Sequence, residues 1–207
     1  MPRPRLRTDD ELLDATRAAL TTRGPADLTL ADVAARAGVS PATLVQRFGT
    51  KRGLLLAFAR RAAAAPELAL ERARSGRPGE LRAALVGLAT DLGDRRGVVN
   101  GLATLLGDLR DPELSRLARR HAEGTVAGLT LLVEAAIARG ELAPSDPRAL
   151  AESLWTAWNG AVIQWAVRGK GPLAVWVGAA VDAALAPHAI RTPPPARSRP
   201  RSPPTRR

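Results

Sequence analysis

The stretch AARAGVSPATLVQRFGTKRGLL, residues 34–55, constrains this chain more than any other. It sets a glycine between two short helical patterns. Ala34 and Ala37 are small enough for two helix axes to approach, Gly38 supplies a left-handed corner, and Val39 plugs it. Ser40 caps the second helix, with Pro41 at its first helical position. In that helix Leu44 and Phe48 form an inward i, i+4 pair. At ~100° per residue, Ala42, Thr43 and Gln46 point away from the pair, with Val45 and Arg47 on their flanks. A short helix held this way, open on its outer face and at its N-terminus, fits the major groove of DNA. Lys51 and Arg52 open the next helix, where unpaired backbone N–H groups already favour phosphate. Base contacts are expected from the Ser40-capped helix and backbone contacts from Lys51.

The rest of the chain reads as all-α. Ala and Leu dominate, both favour helix, and alternating β-branched runs are missing. Thr8 and Glu11 form a capping box for a first helix with the stripe Leu12, Leu13, Thr16, Ala19 and Leu20, stopped by Gly24 and Pro25. Thr29 caps the helix that runs to Ala37, and Thr50 caps a fourth from Lys51, which Pro66 should kink or break. A loop at 75–79 precedes helices at about 80–92 and 96–109. Asp111, Pro112 and Glu113 start a long helix ending at Arg139 and Gly140, with the stripe Leu114, Ala118, His121, Thr125, Leu129, Leu132 and Ala136. Asp146 and Pro147 start another, reaching about Val167, and the last covers about 173–185. No internal repeat is present. Three parts are expected: a helix-turn-helix DNA-binding domain over 1–55, a helical ligand-binding and dimerisation domain over 56–186, and a disordered Arg/Pro-rich tail over 187–207.

Charge supports a polyanionic partner. The net charge is +11, yet residues 1–7 carry three Arg without an acid and residues 187–207 carry six, so the body between is nearly balanced. A solvated, solubilising role for both ends is the alternative, and Arg3, Arg5 and Arg7 either enter a minor groove or fray. The absence of cysteine excludes disulfides and thiolate metal sites. The N-terminus has no apolar signal core, and no uncharged run reaches the ~18 residues of a membrane span. A cytoplasmic protein without a membrane partner is expected.

The motif resembles the tetracycline-repressor (TetR) family of bacterial transcription regulators. The resemblance is carried by LTLADVAARAGVSPATLVQRFGTKRGLL, residues 28–55, through Ala34, Gly38, Val39, Ser40, Leu44, Phe48, Lys51, Leu54 and Leu55. It implies DNA contacts from Ser40, Pro41, Ala42, Thr43, Val45, Gln46, Arg47 and Lys51, with Thr29 either capping its helix alone or also meeting phosphate. The family usually has Tyr where Val45 stands and often His or Tyr where Arg47 stands. Val45 can touch a thymine methyl but donates no hydrogen bond, and Arg47 can grip phosphate or read guanine. The base preference is therefore expected to differ.

One recognition helix makes too few contacts for tight specific binding, so a homodimer on a palindromic operator is expected. The segments SLWTAWNGAVIQWAV and LAVWVGAAVDAAL are apolar nearly all round and must be covered on two sides. The resemblance implies that these last two helices pair with those of a mate, and Trp155, Val162, Trp165, Trp176 and Ala180 are the expected interface residues. It also implies an effector pocket between the middle helices. Asn100, Thr104, His121 and Asn159, polar residues within apolar stripes, together with Trp158, are its expected lining. An apolar lining suits a hydrophobic small molecule, whose binding would move the fourth helix and change the separation of the two recognition helices. A repressor without cofactor or metal is the leading reading. An enzyme is disfavoured, because two His, no Cys and no Tyr make no catalytic or metal-ligating constellation. A non-specific DNA-coating protein driven by the basic ends is the remaining alternative.

Overall fold

Local chemistry starts almost every helix of this chain. The computed structural model describes residues 7–64, 77–90 and 92–190. Arg3, Arg5, Pro66 and the tail from residue 191 lie outside the described residues. The described helices are α1 (Asp9–Asp27), α2 (Leu30–Ala37), α3 (Pro41–Phe48), α4 (Lys51–Ala64), α5 (Glu80–Thr90), α6 (Arg95–Asp108), α7 (Pro112–Ala138), α8 (Pro147–Arg168) and α9 (Leu173–Leu185). The all-α class holds: among the described residues the sole β pairing is an isolated bridge between Leu142 and Ala189.

Capping residues do the starting. The Thr8 hydroxyl accepts from the Glu11 N–H at 3.2 Å, and the Glu11 carboxylate accepts from the Thr8 N–H at 2.8 Å. Thr29 and Asp32 repeat that box on α2. Asp111 and Asp146 cap α7 and α8, each with proline just inside the helix. Asp94 caps α6 through the Gly97 N–H, a start that apolar periodicity alone does not show.

α1 departs from its expected end. The chain bends at Gly24, whose φ of 79° and ψ of 167° are not helical, then resumes a helical turn to Asp27. Glycine tolerates the positive φ, and Pro25 is at ease in the first turn after a break. The start of the expected disordered tail also differs. Residues 186–188 form a 3-10 turn, and the Ala143 N–H donates to the His188 carbonyl at 2.8 Å. The stretch after α7 offers an unpaired backbone edge, and the first tail residues satisfy it.

Two cores result. The first joins α1 to α4 around Leu12, Leu20, Val33, Ala34, Leu44 and Leu54. The second joins α5 to α9 around Leu85, Val133, Leu154, Trp158, Val177 and Val181. On α7 the expected stripe is buried at Leu114, Leu129, Leu132 and Ala136, while Ala118, His121 and Thr125 are half-buried. Leu117 and Val133 are buried too, because α7 packs on α4 along one flank and on α8 along another. Two indole N–H groups clasp the α8–α9 connection: Trp165 donates to the Gly171 carbonyl at 2.9 Å and Trp176 to the Lys170 carbonyl at 2.7 Å.

α4 bridges the cores. Leu56 and Ala63 meet Leu114 and Leu117 of α7. Above this seam the Arg52 guanidinium grips the Asp111 carboxylate with bonds of 2.8 and 3.0 Å, and Arg60 pairs with Glu113 at 2.7 Å. The bonds from Arg52, helped by the Leu114 N–H, hold the Asp111 carboxyl at about 2, against 3.8 when free. The folded pKa is depressed, so this contribution is complete above pH ~4 and lost as pH falls through ~2. The expected result is a thermal midpoint that falls more steeply between pH 4 and 2 in the native protein than in Asp111→Asn, which keeps a good N-cap. Equal slopes for the two would remove Asp111 from the acid response.

Candidate nucleic-acid interface

The helix-turn-helix is assembled from short-range bonds. Gly38 closes α2 in the left-handed conformation (φ 68°, ψ 36°), and the Val39 N–H donates to the Ala34 carbonyl at 3.0 Å. That bond turns the chain into α3. The Ser40 Oγ accepts from the Thr43 N–H at 3.3 Å and lies 3.1 Å from the Thr43 hydroxyl. Leu44 is wholly buried and Phe48 half-buried, so α3 has one anchored face. Ser40, Pro41, Ala42, Val45 and Gln46 are exposed, and Thr43 is half-buried beside them. Val45 shows 49% of its surface, a large apolar group left open at the centre of this face.

Three basic or capping residues have internal partners that distance in sequence conceals. Arg47 pairs with Asp9 of α1 at 2.5 Å, across 38 residues. The Lys51 ammonium donates to the Pro25 carbonyl at 2.9 Å, closing the α1 bend against the start of α4. Thr29 commits its hydroxyl to Asp32 at 2.6 Å, and these bonds with Thr29 hold the Asp32 carboxyl below its ordinary range. Asp9 is the residue that sequence reasoning misses. Its one sequence signal is its place among the acidic residues of the first turn of α1, which the helix dipole explains equally well.

The five expected pocket residues each bond a backbone carbonyl through their side chains. Asn100 donates to the Thr21 carbonyl of α1 at 2.8 Å, and His121 Nδ1 lies 2.8 Å from the Ala62 carbonyl of α4. The Trp158 indole donates to the Leu85 carbonyl at 2.9 Å inside the core. Thr104 and Asn159 bond to carbonyls of their own helices, Asn100 and Trp155. Each of the five side chains thus has one polar atom bonded to a backbone carbonyl.

The expected interface residues divide. Val162 and Trp165 are 4% and 7% exposed inside the chain's own core. Trp155 is half-buried, stacked on Trp158 with ring centres 4.9 Å apart, and Trp176 and Ala180 are half-buried at the edge. Ile163, Val167 and Val175 face outward instead. The i, i+4 spacing of Ile163 and Val167, continued back to Gly160, marks an outer stripe on α8, and Val175, Ala179 and Ala183 mark one on α9.

A three-helix unit that presents a free, N-capped helix after a glycine corner, joined through α4 to a second helical core, defines a helix-turn-helix DNA-binding transcription regulator. Residues 12–58 match the model of the bacterial regulatory proteins, tetR family. Residues 12–58 thus match the TetR-family N-terminal domain, and the described helices share the fold of solved TetR-family regulators. A TetR transcription regulator from Haloarcula marismortui is 21% identical, with a TM-score of 0.67 over 87% of this chain and 97% of that one. SmeT, the repressor of the Stenotrophomonas maltophilia multidrug efflux pump SmeDEF, is 23% identical, with a TM-score of 0.63 over 88% and 91%; it is also known in complex with triclosan. FadR from Bacillus subtilis, in complex with stearoyl-CoA, is 17% identical, with a TM-score of 0.66 over 86% and 98%. At these identities the likeness is one of fold. No curated protein matches the chain in sequence. Among the described residues no helix is long and apolar enough to cross a membrane.

Proposed function

We propose that the chain is a homodimeric transcriptional repressor of the cytoplasm that binds a palindromic operator and leaves it when a hydrophobic small molecule binds its helical domain. The observation that carries this reading is the open face of α3. Ala42, Val45 and Gln46 are exposed on a helix whose opposite side is locked by Leu44, with no role inside the fold. Thr43 and Val45 meet base edges or thymine methyls, Gln46 reads a base, and Ser40, Pro41, Arg47 and Lys51 meet the backbone, with Thr29 next to it. The outward stripes of α8 and α9 supply the mating face for a second copy. Effector release rests on two supports: the ligands held by SmeT and FadR, and the apolar side chains Leu105, Leu106 and Leu109 that α6 and its C-cap leave exposed.

Selection of bound duplexes from a random library tests the reading. The expected product is a palindrome with half-sites about one helical turn apart. Equal retention of every duplex, abolished together by salt, would instead mark a non-specific DNA-coating protein.

Arg47 carries a further expectation. Its side chain is 26% exposed and tethered to Asp9 at the foot of α3, which suits phosphate better than a base edge. Arg47→Ala should weaken binding to all duplexes alike and reduce the salt slope by about one. The fold should survive, because an exposed pair of this kind contributes ~0–1 kcal/mol. Unchanged affinity in a titration at several salt concentrations would remove Arg47 from the DNA face.

A further inference from the structure

The α1 bend has a defect that two other elements repair. In a continuous helix the Thr21 carbonyl would accept from the N–H four residues on, but that residue is Pro25, which has none. Asn100 of α6 supplies the missing donor at 2.8 Å. On the other side of the bend, the Pro25 carbonyl receives the Lys51 ammonium at 2.9 Å. The short span 21–25 is therefore held by a side chain from the second core and, in turn, holds the cation that opens α4.

The surroundings are shaped for this contact. α6 and α1 make the most extensive helix pair among the described residues. A Cβ on Gly97 would lie 2.8 Å from the Thr21 methyl, and one on Gly24 would lie 2.8 Å from the Asn100 Oδ1. Only glycine at both places permits so close an approach. α6 is itself fastened at its N-terminal end, where Arg95 donates to the Ala166 carbonyl of α8 at 2.7 Å. The second core thus reaches the DNA-facing domain by a route separate from α4.

We propose that Asn100 is a positioning residue for DNA binding: by holding the Gly24–Pro25 bend it sets the Lys51 ammonium at the start of α4, where phosphate is met. This rests on the reading of Lys51 as a backbone contact. Asn100 touches no DNA. It acts through the Thr21 carbonyl, the bend and the Pro25 carbonyl. Because α6 is also tied to α8, displacement of α6 would loosen Lys51 without any movement of α4.

Two measurements on the full chain test this. The first is a double-mutant cycle on the selected duplex with the native protein, Asn100→Ala, Lys51→Ala and the double variant. Asn100→Ala should lower affinity by ~5-fold and Lys51→Ala by ~10-fold, with the double variant no weaker than Lys51→Ala alone. Losses that multiply overturn the proposal and leave the DNA reading standing. Absence of duplex binding by the native protein overturns both. The second needs no DNA. Lys51 and Lys170 are the two lysines of the chain, so reductive methylation resolves them by peptide mass. Lys51 should react faster in Asn100→Ala than in the native protein, with Lys170 unchanged. Asn100→Asp, nearly isosteric but without the donor, should behave the same way and serves if the alanine variant folds poorly. An unchanged Lys51 rate in a folded variant overturns the proposal.

Discussion

Val167→Glu combined with Val175→Glu should convert the protein to monomers and lower its operator affinity by at least about 100-fold. Both residues are wide open in the single chain, at 69% and 63% exposure, so a carboxylate there costs the protomer fold little. Against a second copy the same carboxylates would be buried without a partner, which is expensive. Gly160, Ala179 and Ala183 are exposed beside them and keep the helix surfaces low, which would let a second copy approach closely. A monomer holds one half-site, and the second binding event loses the benefit of being intramolecular. Sedimentation equilibrium and a binding titration on the same sample check both halves of the expectation. A variant that remains dimeric would remove α8 and α9 from the mating face.

Leu44→Ala should destabilise the N-terminal domain by about 2–5 kcal/mol. Leu44 is wholly buried among Leu12, Val33, Ala34 and Leu54, and it is the one fully buried side chain of α3. Removing it leaves a cavity in a small core, where a loss of this size is a large fraction of the ~5–15 kcal/mol available to a whole domain. DNA binding should fall with the folded population. The neighbouring Val45→Ala should do the opposite: stability stays within ~0.5 kcal/mol, because the side chain is half in solvent, while the preferred operator changes. Urea unfolding monitored by circular dichroism separates the two variants. Similar midpoints would mean that α3 is not anchored by Leu44.

The contrast between these adjacent residues explains why the helix-turn-helix was legible in sequence. Its determinants are local: a cap at Ser40, a left-handed Gly38, and an i, i+4 pair that needs only helical geometry to face inward. The same holds for the capping residues Thr8, Thr29, Asp111 and Asp146. α8 was legible as a helix but not in its orientation. Apolar residues surround it, so period alone does not distinguish Val162 and Trp165, which turn into the core, from Ile163 and Val167, which turn outward. The candidate pocket residues show a related limit. Sequence marks Asn100 and His121 as polar intrusions, but their partners, the Thr21 and Ala62 carbonyls, lie 79 and 59 residues away. No periodicity carries a contact of that range. Asp9 and Arg47 are hidden for the same reason.

The clasp at the α8–α9 connection has an optical consequence. The four tryptophans, Trp155, Trp158, Trp165 and Trp176, all belong to the second core, and the chain has no tyrosine. Phe48 and Phe58 are the aromatic side chains of the DNA-facing part. Excitation at the red edge of protein absorbance therefore sees one half of the molecule, whereas far-ultraviolet ellipticity sees both. The two signals, recorded together during heating or ligand titration, resolve the halves without a label. Trp176, under the Arg168 guanidinium at 5.6 Å, provides a reporter at the rim of the outer stripe.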